Sequence, residues 1–140
     1  MAIIDANTRN ATDHPTAVRL LDIILNDEDI SAFFRHFGWK KIAVCGMSRF
    51  CKVFIKLMKE TDIKIEYIFD KNYQNFSDGK YMGISVIGYD KLNEMELPDM
   101  IVVASNYYYN DIVDELIENN VPLEKIIGLN DVIFGMERLK

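Results

Sequence analysis

Apolar positions change their period several times along this chain, and each change marks an element. Leu20, Leu21, Ile24 and Leu25 recur at helical spacing, and Pro15 suits the first turn of that helix. Residues 1–14 are polar, rich in Asn, Asp and Thr, and read as a loose arm. Ile30, Phe33, Phe34 and Phe37 form a second helical face, opened by Asn26 or Asp27 as cap and closed by Gly38. Ile42 to Cys45 is continuous and apolar, the pattern of a strand covered on both faces. A helix from about Ser48 to Glu60 follows. Phe50, Val53, Phe54, Leu57 and Met58 mark its buried side, and Lys52, Lys56 and Lys59 its wet side.

The second half repeats the alternation. Ile65 to Phe69 reads as a strand, residues 71–83 as a loop of turn formers, and Ile84 to Ile87 as a short strand. A short helix spans Tyr89 to Met95. Pro98 opens the strand Met100 to Ala104. A helix from Tyr107 to Asn119 buries Ile112, Val113, Leu116 and Ile117, and Asn120 and Pro122 end it. Lys125 to Ile127 is a last short strand, and Asn130 caps a closing helix through Met136. Strands alternating with helices imply a parallel sheet with helices on both faces and right-handed crossovers. The expected organisation is an arm and helical extension over residues 1–38, then a single globular α/β unit over residues 39–140.

Composition narrows the function classes. A chain of 140 residues suffices for one real core. Its formal net charge of −6 argues against a nucleic-acid groove, which needs a basic face to neutralise phosphates. No run reaches the roughly 18 apolar residues of a membrane span. The first fifteen residues lack the basic-then-apolar order of a secretory signal. Cys45 and Cys51 fit neither C-x-x-C nor a zinc pattern, so no metal is expected. Both read as free thiols, which points to a reducing, cytoplasmic setting.

The candidate chemistry centres on Lys41 to Asp70, KIAVCGMSRFCKVFIKLMKETDIKIEYIFD. Strand, glycine turn, amphipathic helix and strand ending in Asp make the layout of a first β-α-β unit in a dinucleotide-binding fold. Gly46 stands at the tight turn where phosphate approaches a helix N-terminus. Where G-x-G-x-x-G continues with glycines, this chain has Ser48 and Cys51. The Ser48 hydroxyl has two compatible roles, binding a phosphate oxygen and capping the helix; capping is the commoner one. Arg49 opposes the helix dipole, an arrangement that makes sense beside an anion, although a solvated surface arginine is the ordinary reading. Asp70 lies 24 positions after Gly46. There a carboxylate accepts from ribose hydroxyls and repels a 2′-phosphate, favouring NAD over NADP; its ordinary role is to start a turn.

Ser105 and Asn106 follow the strand Met100 to Ala104 and should sit on the ligand-binding rim, as should Tyr107. The run Tyr107 to Tyr109 offers rings for stacking on a base or sugar, beside the plainer role of packing. Tyr67 and Lys71 satisfy Y-x-x-x-K, but the first falls inside a strand and the pair cannot share a helical face. His14 and His36 are isolated, and no G-x-S-x-G, H-E-x-x-H or P-loop occurs. No catalytic residue is assigned.

The stretches KKIAVCGMSRFCKVFIKLMKE, IKIEYIFDKN, GISVIGYDKL, LPDMIVVAS and IIGLNDVIF cover most of residues 40–134. In them the chain resembles small NAD(P)-binding-like Rossmann domains of bacterial polysaccharide and nucleotide-sugar biosynthesis. The resemblance implies a Rossmann-like three-layer α/β fold with a parallel sheet and helices on both faces, to which the helices before residue 39 are an N-terminal helical extension. It implies a nucleotide or nucleotide-sugar ligand, NAD first, with Gly46 and Asp70 at the matching positions, in a role accessory to surface-polysaccharide assembly; Ser48 and Cys51 depart from the family's glycines, and Ser48, Arg49, Ser105 and Asn106 join the candidate ligand-binding set on the reading of the residues themselves. Two other functions stand beside it. One is an NAD-dependent sugar-nucleotide oxidoreductase or epimerase, with Tyr107 as proton donor. The other is a ligand-free interaction domain, a homodimer paired through its N-terminal helices.

Overall fold

The computed structural model describes residues 6–139, with side chains from Asp13 onward. Five α-helices are present among them: α1 (Ala6–Leu25), α2 (Ser31–His36), α3 (Arg49–Lys59), α4 (Tyr109–Glu118) and α5 (Leu129–Gly135); the short helix expected from Tyr89 is a 3-10 helix, Tyr89–Glu94. Six strands form one sheet: β1 (Lys41–Cys45), β2 (Lys64–Phe69), β3 (Lys80–Tyr81), β4 (Ile84–Ile87), β5 (Met100–Val103) and β6 (Ile126–Gly128). Their order is β3-β4-β2-β1-β5-β6, parallel throughout except for β3 at the edge. The chain is a mixed α/β protein built on this mostly parallel sheet. Among the described residues no helix is long and apolar enough to cross a membrane.

The central strand explains its own composition. Residues Ile42 to Cys45 are all buried, and their alternating side chains serve two cores. Ile42 and Val44 join Leu20, Ile23, Phe34, Phe54, Met58 and Val132 on one side. Ala43 and Cys45 join Phe69, Leu92, Ile112, Leu116 and Val121 on the other.

The N-terminal extension departs most from expectation. Residues 6–14 of the expected arm are helical, and residues 1–5 lie outside the described residues. Pro15 sits inside α1 rather than at its start. The buried face is also a different one: Thr16, Arg19, Leu20 and Ile23 point inward, while Leu21, Ile24 and Leu25 are 56%, 49% and 76% exposed. Polar partners account for the rotation. Thr16 Oγ1 donates to Asn130 Oδ1 at 2.5 Å, and the Arg19 guanidinium pairs with Glu28 and Glu137. Asn130 therefore anchors α1 instead of capping α5, which Gly128 precedes.

Asn26 and Asp27 end α1 and do not start α2. The Asn26 amide donates to the Asp22 carbonyl, and Asp27 takes φ +51, a left-handed helix-end conformation. Asp29 serves the start of α2, accepting from the Ser31 amide and hydroxyl. Phe37 is half-exposed and stacks on Trp39 with centroids 4.6 Å apart. Gly38, at φ +75, ends α2 as expected.

On α3 the buried set is Cys51, Phe54, Ile55 and Met58, with Phe50, Val53 and Leu57 half-buried beside it. Ile117, expected inside, is 48% exposed. The loop 71–83 hides the antiparallel edge strand. Met82 and Gly83, at φ +50 and +79, form the two-residue turn that joins β3 to β4.

Candidate functional site

The chain runs outward from β1 through β2 to β4, then crosses back to lay β5 on the other side of β1. In open parallel sheets, ligand crevices lie beyond the C-terminal strand ends where the order reverses in this way. Here that place is built by the turn after β1 and the segment after β5.

Gly46 opens the first turn at φ +82. A Cβ at this position would stand 3.1 Å from both Ser105 Cβ and Ile112 Cδ1. The glycine thus meets two needs, a left-handed backbone and a close approach of the two segments. Ser48 is the N-cap of α3, its Oγ accepting from the Cys51 amide at 3.2 Å. The same Oγ donates to the Ala104 carbonyl at 2.7 Å, so its proton is committed to β5. Ser105 Oγ accepts from the Tyr108 amide at 3.1 Å and shapes the entry to α4.

Two clefts meet at this seam. One, of about 450 Å³, is lined by Gly46, Met47, Ser48, Asp70, Lys71, Tyr89, Ser105, Asp111 and Glu115 among others. Its neighbour, of about 700 Å³, is lined by Asp13, His14, Ser48, Arg49, Ser105, Asn106 and Tyr107 among others. Ser48, Ser105 and Tyr108 line both. All six expected ligand-binding residues therefore border one continuous region. Gly46 and Asp70 fall on one side, Arg49 and Asn106 on the other, and the two serines fall between.

The expected residues differ in how committed they are. Asp70 Oδ1 accepts from the Asn72 amide at 2.7 Å, the turn-starting role, while the residue still lines the first cleft. Asn106 Nδ2 donates to Thr16 Oγ1 at 2.8 Å and approaches Asp13 Oδ1 at 3.4 Å, tying the rim to α1. Arg49 is exposed and makes no ion pair among the described residues. Tyr107 lines the second cleft and meets Tyr108 edge-on at 4.5 Å.

The two sides differ in charge. Asp70, Asp111 and Glu115 outnumber Lys71 in the first cleft, which suits hydroxyl groups and repels phosphate. The second has Arg49, from the first turn of α3, and Asp13 in its lining. Below the floor, burial pushes the Cys45 thiol well up, and burial with the Asp70 charge pushes Cys51 up to about 12. Tyr89, buried and hydrogen-bonded to Cys45, is pushed up as well, chiefly by burial. None of the three supplies a nucleophile near neutral pH.

Sequence reasoning missed Asp13, His14, Asp111 and Glu115, while Tyr108, from the run offered for stacking, lines both clefts. His14 read as isolated because the arm read as loose; α1 carries it to the cleft beside Arg49. Asp111 and Glu115, four apart on α4 just after Ser105, carried a signal that helical spacing reveals.

The family model described as C2185-like, N-terminal, matches residues 38–127. The chain belongs to the C2185-like N-terminal family. The match spans β1 to β5 and most of β6, and so includes Gly46, Ser48, Arg49, Asp70, Ser105 and Asn106. Helices α1, α2 and α5 lie outside the matched stretch, although α1 supplies Asp13 and His14 to the second cleft. No curated protein and no solved structure matches the chain.

Proposed function

We propose that this C2185-like domain is a Rossmann-like three-layer domain that binds a nucleotide-type ligand, NAD or a nucleotide-sugar, across the ends of β2, β1 and β5. The observation that carries the proposal is the meeting of Gly46, Ser48, Asp70 and Ser105 in one cleft where strand order reverses. The parallel order β4-β2-β1-β5-β6, three strands laid one way and two the other, supports the fold assignment.

The charge division supports a ligand with a sugar end and a phosphate end. Asp70, with Asp111 and Glu115 nearby, accepts from ribose hydroxyls and disfavours a 2′-phosphate. The Arg49 and Phe50 amides, ahead of the capped Cys51 amide, have no intrahelical acceptor and, with the Arg49 side chain, favour a phosphate. An accessory role in surface-polysaccharide or sugar-nucleotide metabolism rests on the resemblance within residues 40–134 alone, and a cytoplasmic setting on the free thiols of Cys45 and Cys51.

Calorimetric titration with NAD, NADP and UDP-glucose tests the proposal. NAD or UDP-glucose should bind, NADP more weakly than NAD, and Asp70→Ala should weaken binding by about tenfold, the loss of one charge-assisted hydrogen bond. Silence from all three, or an Asp70→Ala protein that binds as the wild type does, overturns it.

A second function, pairing of two chains through α1, draws on the exposed apolar stripe Val18, Leu21 and Leu25. Sedimentation of the Leu21→Ser, Leu25→Ser double variant checks it: a dimer in the wild type that dissociates in the variant supports pairing, and a wild-type monomer rules it out.

A further inference from the structure

A third depression continues the groove past the two clefts. It has a volume of about 340 Å³ and is lined by Asn106, Tyr109, Asn110, Gly128, Asn130 and Asp131. Asn106 also lines the Arg49 cleft, so the three depressions follow one another along the ends of β2, β1, β5 and β6.

The lining has a definite chemistry. Three carboxamides and one carboxylate surround a single aromatic ring, and no aliphatic side chain takes part. Among the described residues no hydrogen bond or ion pair engages the Asn110 side chain, the Tyr109 hydroxyl or the Asp131 carboxylate. Asn130 spends only its Oδ1, on Thr16. Gly128 keeps the space open: a Cβ there would stand 3.1 Å from Tyr109 Cε2 and 3.4 Å from Asp131 Oδ2. Burial and the nearby Asp131 charge raise the Tyr109 hydroxyl pKa, which keeps it a donor.

We infer that this depression is a glycosyl subsite, which takes the pyranose hydroxyls of a nucleoside diphosphate sugar whose diphosphate lies beside Arg49. Carboxamides pair with a hydroxyl as donor and as acceptor, a carboxylate accepts from one, and the Tyr109 ring offers a face to sugar C–H groups. A pyranose, with a hydroxyl on most of its carbons, can meet several of these polar groups at once, whereas a nicotinamide offers them a single carboxamide. The inference rests on the proposed nucleotide site and selects a nucleotide-sugar over NAD as its occupant.

The test is calorimetric titration of the full chain with UDP, UDP-glucose, GDP, GDP-mannose, free glucose and NAD. At least one nucleotide-sugar should bind about tenfold or more tightly than its own diphosphate, the equivalent of one or two neutral hydrogen bonds. Asn110→Ala and Asp131→Asn should each erase most of that gain. Both positions are exposed and line neither of the other clefts, so the diphosphate affinity should hold. Equal affinity for diphosphate and nucleotide-sugar overturns the glycosyl subsite while leaving the nucleotide site standing. Preference for NAD, unchanged in both variants, overturns it too. Glucose binding alone, without any nucleotide, overturns the link between the two sites. Failure of every nucleotide to bind overturns the nucleotide site itself and the subsite with it.

Discussion

The Ser48 hydroxyl donates to the Ala104 carbonyl at 2.7 Å and so fastens the turn after β1 to the end of β5. One side chain caps a helix and staples the two segments that frame the cleft. Replacing Ser48 with Ala removes the cap and leaves the Ala104 carbonyl without this donor. The expected loss is about 2 kcal/mol, the sum of a cap and a buried hydrogen bond. Ser48→Thr, which keeps the hydroxyl, should retain most of it. Urea denaturation of the two variants separates these outcomes.

Gly46→Ala should harm the protein for a different reason. Its φ of +82 strains any L side chain, and the new methyl would press on Ser105 and Ile112 at 3.1 Å. The backbone alone costs about 1–2 kcal/mol, and the contacts add to it. A thermal melt should show the drop, whereas Gly38→Ala should show the backbone part only, since nothing lies within 4 Å of its Cβ.

Stability should fall at alkaline pH. Burial raises the thiols of Cys45 and Cys51 and the Tyr89 hydroxyl above their ordinary values of 9.0, 9.0 and 10.0, Cys51 to about 12. All three stay protonated in the folded chain while the unfolded chain releases their protons. Their contribution is therefore complete below pH 9 and is lost as pH climbs from there towards 12 and beyond. The urea midpoint at about pH 10.5 should lie below that at about pH 8, and Cys51→Ala should narrow the gap. Thiol labelling at neutral pH should be slow until the chain is unfolded.

Arg19 should prove essential to the docking of α1. Its guanidinium is buried and paired with Glu28 at 2.7 Å and Glu137 at 2.5 Å. Arg19→Ala removes the bidentate guanidinium from the mostly buried Glu28 carboxylate and should cost about 3 kcal/mol. Glu137 is half-exposed, so Glu137→Ala should cost much less. Chemical denaturation of both variants gives the comparison.

These residues also mark where the sequence was easy to read and where it was not. The segment from β1 through β2 was legible because its burial is apolar: Ile42 to Cys45 and Phe54 to Met58 announce themselves by period. The inner face of α1 is held by Thr16 and Arg19, through partners that lie partly far along the chain: Asn130 for Thr16, and Glu28 and Glu137 for Arg19. No local period encodes such partners, so Leu21, Ile24 and Leu25 looked like the core. The same error removed Asp13 and His14 from the candidate site. Gly46, Ser48 and Asp70 were found because a strand–turn–helix–strand frame fixes their places. The third depression was invisible because Asn106, Asn110, Gly128 and Asn130 come together only when β6 pairs with β5.

The relay Asn106–Thr16–Asn130 gives the groove a built-in reporter. Asn106 and Asn130 both belong to the rim, and the hydroxyl between them belongs to α1. A ligand that takes the Asn106 Nδ2 donor or the Asn130 Oδ1 acceptor must compete with Thr16 for that atom, so occupancy of this kind at the sheet end loosens the hold on a helix ninety residues upstream.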